Sequence, residues 1–344
     1  MGARTRGLAN NVLSSGKLDA TDAVSGVIPA SNIADASLTS ATTFGSVTGG
    51  VPAVASDPPS PAEGDIWYNT TTGQIKFRTN LQSWSSGGNL NTARRGSAGA
   101  GIQTAALSAG GGEPAVTNTE LYDGSSWSEV NDLSTARRLI AGLGLQTAAL
   151  AIGGFAPPTT GSTEEFDGTN WTAGGSLNTG RYGMAAAGIQ TAGIAFGGDT
   201  PNVLNESYNG TSWTEVGDLN TGGTYLGGFG LQTAAIAVKS ATVELWNGTS
   251  WTEVNDLNTG RSQMGCSGIQ TAGLAFGGNG PSALTESWDG TSWTEVNDLG
   301  TARAWLSGST NAPNTTTLAF GGTTGSDTAA TEEWTTTATT QIVG

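Results

Sequence analysis

From about residue 63 the chain repeats one pattern of apolar and polar positions. In one copy a polar lead-in, Leu177-Asn178-Thr179-Gly180-Arg181, precedes the small-residue run Met184-Ala185-Ala186-Ala187-Gly188-Ile189-Gln190-Thr191-Ala192-Gly193-Ile194-Ala195-Phe196-Gly197-Gly198. The copy then ends on Glu206-Ser207-Tyr208-Asn209-Gly210-Thr211-Ser212-Trp213-Thr214-Glu215-Val216. This pattern predicts four short strands per copy. Two small-residue strands meet at Gln-Thr, and a third carries Glu-x-aromatic. An Asn-Gly or Asp-Gly turn, whose residues tolerate positive φ, leads into a fourth strand opening on Trp.

The tryptophans mark the period. Trp84, Trp127, Trp171, Trp213, Trp251 and Trp293 are 43, 44, 42, 38 and 42 residues apart, and each after the first lies seven residues beyond a glutamate: Glu120, Glu164, Glu206, Glu244 and Glu286. Repeats of about 40 residues with four strands predict an all-β β-propeller, whose blades pack around an axis and leave only short edges. A sixth copy, from Thr301-Ala302-Arg303 to Glu332-Glu333-Trp334, has Thr339 where its outer-strand tryptophan belongs. The upstream segment around 75–86, which holds Trp84, supplies an outer strand with no blade before it. Joining the two predicts six four-stranded blades. Residues 65–69 either add a strand or compete with 331–336 for the third position.

Residues 1–62 contain one aromatic, Phe44, and scattered aliphatics such as Leu13, Leu18, Val24, Val27, Ile28, Ile33 and Leu38. Such a segment cannot bury a core alone. It is expected to be extended and to end in a stiff linker, Asp57-Pro58-Pro59-Ser60-Pro61, before a propeller spanning 63–344. Composition narrows the chemistry. The 54 glycines and only 12% charged residues disfavour a helical protein. A net charge of −15 disfavours nucleic acid and anionic membrane surfaces. No apolar run is long enough for a membrane-spanning helix, so no membrane insertion is expected. With no histidine, the commonest general base and metal ligand is missing. Neither a metal nor a cofactor is expected, and the chain is not expected to be an enzyme. The single cysteine, Cys266, reads as a small buried residue.

The double glycines (Gly111-Gly112, Gly153-Gly154, Gly197-Gly198, Gly277-Gly278, Gly321-Gly322), with the following aromatic and Trp and the Thr-Ala-Arg or Thr-Gly-Arg lead-in, resemble the kelch repeat. The resemblance implies a six-bladed kelch-like propeller, with units shorter than the roughly 50 residues usual for kelch. The fourth unit departs from the pattern: Val238-Lys239 replaces the double glycine and Gly223 replaces the arginine. That blade is expected to be trimmed on one face. Upstream, Ala20-Thr21-Asp22-Ala23-Val24-Ser25-Gly26-Val27-Ile28-Pro29 and Pro58-Pro59-Ser60-Pro61-Ala62-Glu63-Gly64-Asp65-Ile66-Trp67-Tyr68-Asn69-Thr70-Thr71-Thr72-Gly73 resemble tail-fibre and appendage proteins of tailed phages. That resemblance implies a virion structural protein, made in the host cytoplasm. Its residues 1–62 would attach to other virion proteins, with a homotrimer as the expected state. Its propeller would recognise a host surface glycan or protein, or brace the particle. A sialidase-like glycan-acting enzyme and a cellular kelch scaffold are the alternatives.

Several residues are candidates for a site. Arg94, Arg137, Arg181, Arg261 and Arg303 stand one per blade, and the kelch resemblance places this position near a mouth of the channel. They either ring the mouth to grip an anionic ligand or bond backbone carbonyls of the neighbouring blade. The Asp289-to-Trp293 turn resembles the Asp-box of sialidases, with a spacing different by one residue. Tyr182 and Tyr225 are one-off residues near inner strands, but no carboxylate in the sequence beside them completes a glycosidase pair. The repeated glutamates read as solvated rims or capping carboxylates, and the repeated tryptophans as packing between blades. Trp305 and Phe155, which break the repeat, are the candidates for recognition.

Overall fold

The computed structural model describes residues 51–199 and 201–343, and the expected attachment role of residues 1–50 lies outside them. Six sheets of strands occur, with no helix among the described residues. Two compact units divide the chain, one of residues 82–336 and one of residues up to 81 together with 337–344.

The larger unit is a six-bladed β-propeller. Blade 1 is the antiparallel meander Ala98–Ile102, Ala105–Ala109, Thr119–Tyr122 and Trp127–Val130. Blades 2 to 5 repeat it, with innermost strands Ala141–Leu145, Ala185–Ile189, Gly227–Leu231 and Gly265–Ile269. In blade 6, Ser307–Gly308 and Thr316–Phe320 are followed by Thr331–Ile342, and the outer place is taken by the strand Gln74–Ser86, of which 82–86 lie in this unit. Residues 331–336 therefore hold the third position. Trp84 is the outer-strand tryptophan of that blade, its ring centre 5.1 Å from Phe276 of blade 5 and 5.4 Å from Trp334.

Small residues line the inner strands because the blades converge there. A Cβ on Gly142 of blade 2 would lie 2.5 Å from the Gly99 carbonyl oxygen of blade 1, so no side chain fits. Further out the space widens and aromatics fill it. Trp127 meets Phe320 of the preceding blade, and Trp251 meets Phe196, each with centroids 4.9 Å apart. The Gln of each Gln-Thr turn staples its blade to the one before: Gln103, Gln146, Gln190, Gln232 and Gln270 donate to the carbonyls of Trp334, Tyr122, Phe166, Tyr208 and Trp246 at 2.6–2.7 Å. Blade 6 has no such glutamine; its turn is the longer loop 309–315. From it Asn311 donates through its backbone N–H to the Gly101 carbonyl of blade 1 and through Nδ2 to the Gly188 carbonyl of blade 3. The loop thus crosses that end of the channel.

In the smaller unit Ala53–Val54 pairs in parallel with Ile66–Asn69, which pairs antiparallel with the start of Gln74–Ser86. The stretch expected as a linker, 57–61, holds no strand, and its Asp57 bonds side chains of this sheet. Asp57 accepts hydrogen bonds from Lys76 Nζ (2.8 Å), Trp67 Nε1 (2.9 Å) and Asn69 Nδ2 (2.7 Å), and Trp67 is buried. Led by the Lys76 bond, these donors hold the Asp57 carboxyl down at about 2, from an ordinary 3.8.

Two predictions follow from this arrangement. A carboxyl with a depressed folded pKa stabilises above its unfolded value and stops doing so as pH falls through the folded one. The Trp67 indole N–H resonance is therefore expected to hold steady above about pH 3 and to shift with a midpoint near pH 2, a change that Asp57→Asn removes. A flat titration in the native protein sinks this assignment. Trp84→Ala, at the seam of blade 6, is expected to cost about 2–4 kcal/mol in urea unfolding, below the range for a fully buried tryptophan because Trp84 is half-buried. Unchanged stability would mean that this seam does not hold the ring closed.

Candidate functional site

The five repeated arginines are buried, each no more than 4% exposed, and none reaches the surface as a ligand ring. Each pairs with the glutamate of its own blade: Arg94 with Glu120 (2.6 Å), Arg137 with Glu164 (2.9 Å), Arg181 with Glu206 (2.9 Å), Arg261 with Glu286 (2.6 Å) and Arg303 with Glu332 (2.9 Å). The carbonyls they bond also belong to their own blade and not to its neighbour, as with Arg181 to Gly197 and Leu204. Burial pulls the Arg94, Arg137, Arg181 and Arg303 guanidinium pKa values down, and the paired glutamates act against it. The glutamates are not solvated rims. Each caps backbone N–H groups of the lead-in, as Glu206 does for Asn178 and Glu332 for Gly300.

Two residues beyond each arginine position the chain turns over the mouth of the channel. Gly96, Leu139, Gly183, Tyr225, Gln263 and Trp305 occupy this place in blades 1 to 6, all with φ between 57° and 65°. Each N–H donates to the carbonyl of its counterpart in the preceding blade at 2.6–3.1 Å, and Gly96 donates to Trp305, so six hydrogen bonds close a ring about the axis. Four side chains thereby sit in left-handed backbone that non-glycine residues seldom adopt. The closed ring of bonds holds them there.

On this mouth the structure gathers four of the one-off aromatics. Trp305 of blade 6 meets Tyr225 of blade 4 edge-on with centroids 4.4 Å apart, a chord that skips Gln263. Tyr225 lies 6.3 Å from Tyr182, and Tyr182 lies 5.6 Å from Phe155. Gly183 makes room for Tyr225: a Cβ there would be 2.6 Å from the tyrosine ring. The Arg138 guanidinium covers Phe155 at 5.5 Å and pairs with Glu113 at 2.6 Å, while Arg95 bonds Glu113 and Asp327. All four aromatics are half-buried, each exposing part of its ring.

Arg138, Glu113, Asp199 and Asn279 escaped the reading of the sequence. A signal for them exists. The residue after each repeated arginine (Arg95, Arg138, Tyr182, Ser262, Ala304) partners the residue after each double glycine (Glu113, Phe155, Asp199, Asn279, Thr323). Asp199 Oδ1 accepts the Tyr182 N–H at 2.9 Å, and Asn279 Oδ1 the Ser262 N–H at 2.8 Å. Blade 4 lacks such a pair. Its second and third strands, Ala234–Lys239 and Thr242–Trp246, join through Ser240 and Ala241 alone, and the Lys239 stem fills the space beside Gly223 where an arginine would run.

Burial, the Tyr182 hydroxyl and the charge of Asp199 together push the Tyr225 phenol up, so it remains a protonated donor at neutral pH. Burial pushes the Cys266 thiol up to about 12, which keeps it from acting as a nucleophile. No group of three or more metal-ligating side chains occurs among the described residues. The mouth is equipped for stacking and hydrogen bonding.

Comparison with solved proteins places this architecture. The chain is similar to the structure of YjhT, with a TM-score of 0.60 over 74% of this chain and 100% of that one, at 12% identity. The fold is a kelch-like propeller. At that identity the likeness shows the fold alone. No protein-family model matches the chain, and no curated protein matches it.

The buried pairs make a stability prediction. Arg181→Met strands the Glu206 carboxylate inside the blade and is expected to cost about 3–5 kcal/mol in urea unfolding. Arg181→Lys is expected to recover only part of it, since one ammonium cannot reproduce the fork that serves Gly197, Leu204 and Glu206 together. A methionine variant as stable as the parent would show that the pair holds nothing.

Proposed function

We propose that this chain is a structural protein of a phage virion, a fibre or appendage anchored through its N-terminal segment and presenting the propeller mouth for recognition of a host surface. The observation that carries the recognition half is the gathering of Phe155, Tyr182, Tyr225 and Trp305 on one mouth of a protein whose other aromatics mostly repeat in register and face its core. Repetition serves packing, whereas one-off residues that converge from four blades serve something else. The anchoring half rests on the likeness of residues 20–29 and 58–73 to phage appendage segments.

Catalysis on a glycan is the second reading, favoured by Tyr182, Tyr225 and Asp199 standing together at the mouth. Recognition without turnover accounts better for a tyrosine whose phenol is pushed up: a nucleophilic phenolate needs the opposite shift.

The test has two arms. Purified particles are expected to contain the protein, and light scattering of the full chain is expected to give a trimer of a 34.5 kDa subunit, with a chain beginning at residue 51 monomeric. That start keeps Asp57, which a cut at residue 63 would remove. Trp305→Leu is expected to impair attachment of the protein to host cells. Absence from particles overturns the virion reading, and turnover of host polysaccharide by the purified protein overturns the non-catalytic one.

A further inference from the structure

The mouth is lopsided in two respects. Its ring positions carry Gly96, Leu139 and Gly183 in blades 1 to 3 but Tyr225, Gln263 and Trp305 in blades 4 to 6, so one side is mostly bare backbone and the other a wall of side chains. These residues line a cavity of about 110 Å³. Around it the strands of five blades are joined by long rim loops, 110–118, 153–162, 197–204, 277–284 and 321–330, against only 240–241 in blade 4. The rim is therefore interrupted at blade 4, the blade that carries Tyr225, while the aromatic contacts run from Trp305 and Tyr225 on to Tyr182 and Phe155.

The chemistry around the wall is that of a hydroxyl-rich ligand. Ring faces of Trp305 and Tyr225 suit the C–H face of a pyranose, and planar amides and carboxylates suit its hydroxyl groups. Asp199 Oδ2 and Asn279 Nδ2 make no hydrogen bond among the described residues, their other atoms being committed to Tyr182 and Ser262. Charge selects against an acidic ligand. Arg95 and Arg138 are satisfied by Glu113 and Asp327, leaving Lys239 in the gap as the nearby cation, on a chain of net charge −15.

Resting on the reading of the mouth as a recognition face, we propose that it binds a neutral, linear pyranose glycan, stacked on Trp305 and Tyr225 and leaving through the gap at blade 4. A terminal sugar would fill only the cavity. A chain also uses the surface out to the gap, so affinity grows with length.

The full-length protein is titrated, by calorimetry and tryptophan fluorescence, with malto-, cello- and laminari-oligosaccharides from one to six units, with oligogalacturonate and with an unstructured peptide of mixed sequence. One neutral series is expected to bind, about tenfold more tightly as the hexamer than as the monomer. Trp305→Leu is expected to weaken it about tenfold without moving the melting temperature, because blade 2 already carries leucine at this ring position with the same φ of 57°. Tyr225→Leu serves as the second variant should the first fail to fold. Binding of none of the neutral series, preference for the acidic oligomer or the peptide, or equal affinity in the leucine variants overturns the proposal. If oligosaccharides fail while Trp305→Leu still impairs attachment to host cells, the ligand class falls and the recognition reading stands. If attachment is also unchanged, the recognition reading falls with it.

Discussion

One buried carboxylate per blade organises the propeller. In all six blades the glutamate of the third strand reaches across to the lead-in of the first and accepts its backbone N–H groups: Asn91 and Thr92 on Glu120, Ser134 on Glu164, Asn178 on Glu206, Asn220 and Thr221 on Glu244, Asn258 and Thr259 on Glu286, Gly300 and Thr301 on Glu332. A charge so placed is costly unless fully bonded, and five blades answer it with an arginine. The arginine fixes where the backbone stands two residues before the mouth. There the chain turns into left-handed geometry and closes the ring of six hydrogen bonds. Mouth geometry thus follows from a polar contact inside the blade.

Blade 4 separates the essential from the dispensable. It has no arginine, yet Glu244 still caps Asn220 and Thr221, and Tyr225 still makes its ring bonds. The carboxylate is the fixed element, and the arginine is its usual neutraliser. Losing the arginine goes with losing the rim loop, since Arg137, Arg181 and Arg303 bond carbonyls at the two ends of their loops, as Arg137 does with Gly153 and Ser162, and Arg94 bonds one end, at Asn118. A blade that drops one has no partner for the other. The opening in the rim is what that loss leaves.

Much of this was written in register along the chain. Trp127 seven residues beyond Glu120, and the same spacing four times more, announces blades, because packing between neighbours demands the same side chain at the same place in each. The arginines were harder. Their repetition was legible, but the partner of Arg181 is Glu206, on the third strand of the same blade, and nothing local distinguishes a buried guanidinium from an exposed one. Trp305, Phe155, Tyr182 and Tyr225 could be singled out as breaks in the repeat. Their meeting could not, because the Trp305 to Tyr225 contact skips a blade and depends on the curvature of the ring. Asp199 and Asn279 were missed for another reason: polar residues in loops look alike until each is seen to bond the residue that follows an arginine.

Pseudosymmetry supplies the argument about where function sits. At the opposite end of the channel the exposed apolar residues, Ile102, Leu145, Ile189, Leu231 and Ile269, recur at one register position and differ little in exposure, as the repeat requires. That end is also crossed by Asn311 from the loop of blade 6. At the mouth the equivalent positions carry glycine, leucine, tyrosine, glutamine and tryptophan on identical backbone. The ring of hydrogen bonds holds the main chain constant while its side chains vary, and a left-handed φ is costly for each of the four non-glycine residues. Glycine would remove that cost at every one of them. Four positions hold a side chain against their own backbone preference, and Tyr225 and Trp305 meet across the ring, which is why the proposed recognition is put at this mouth.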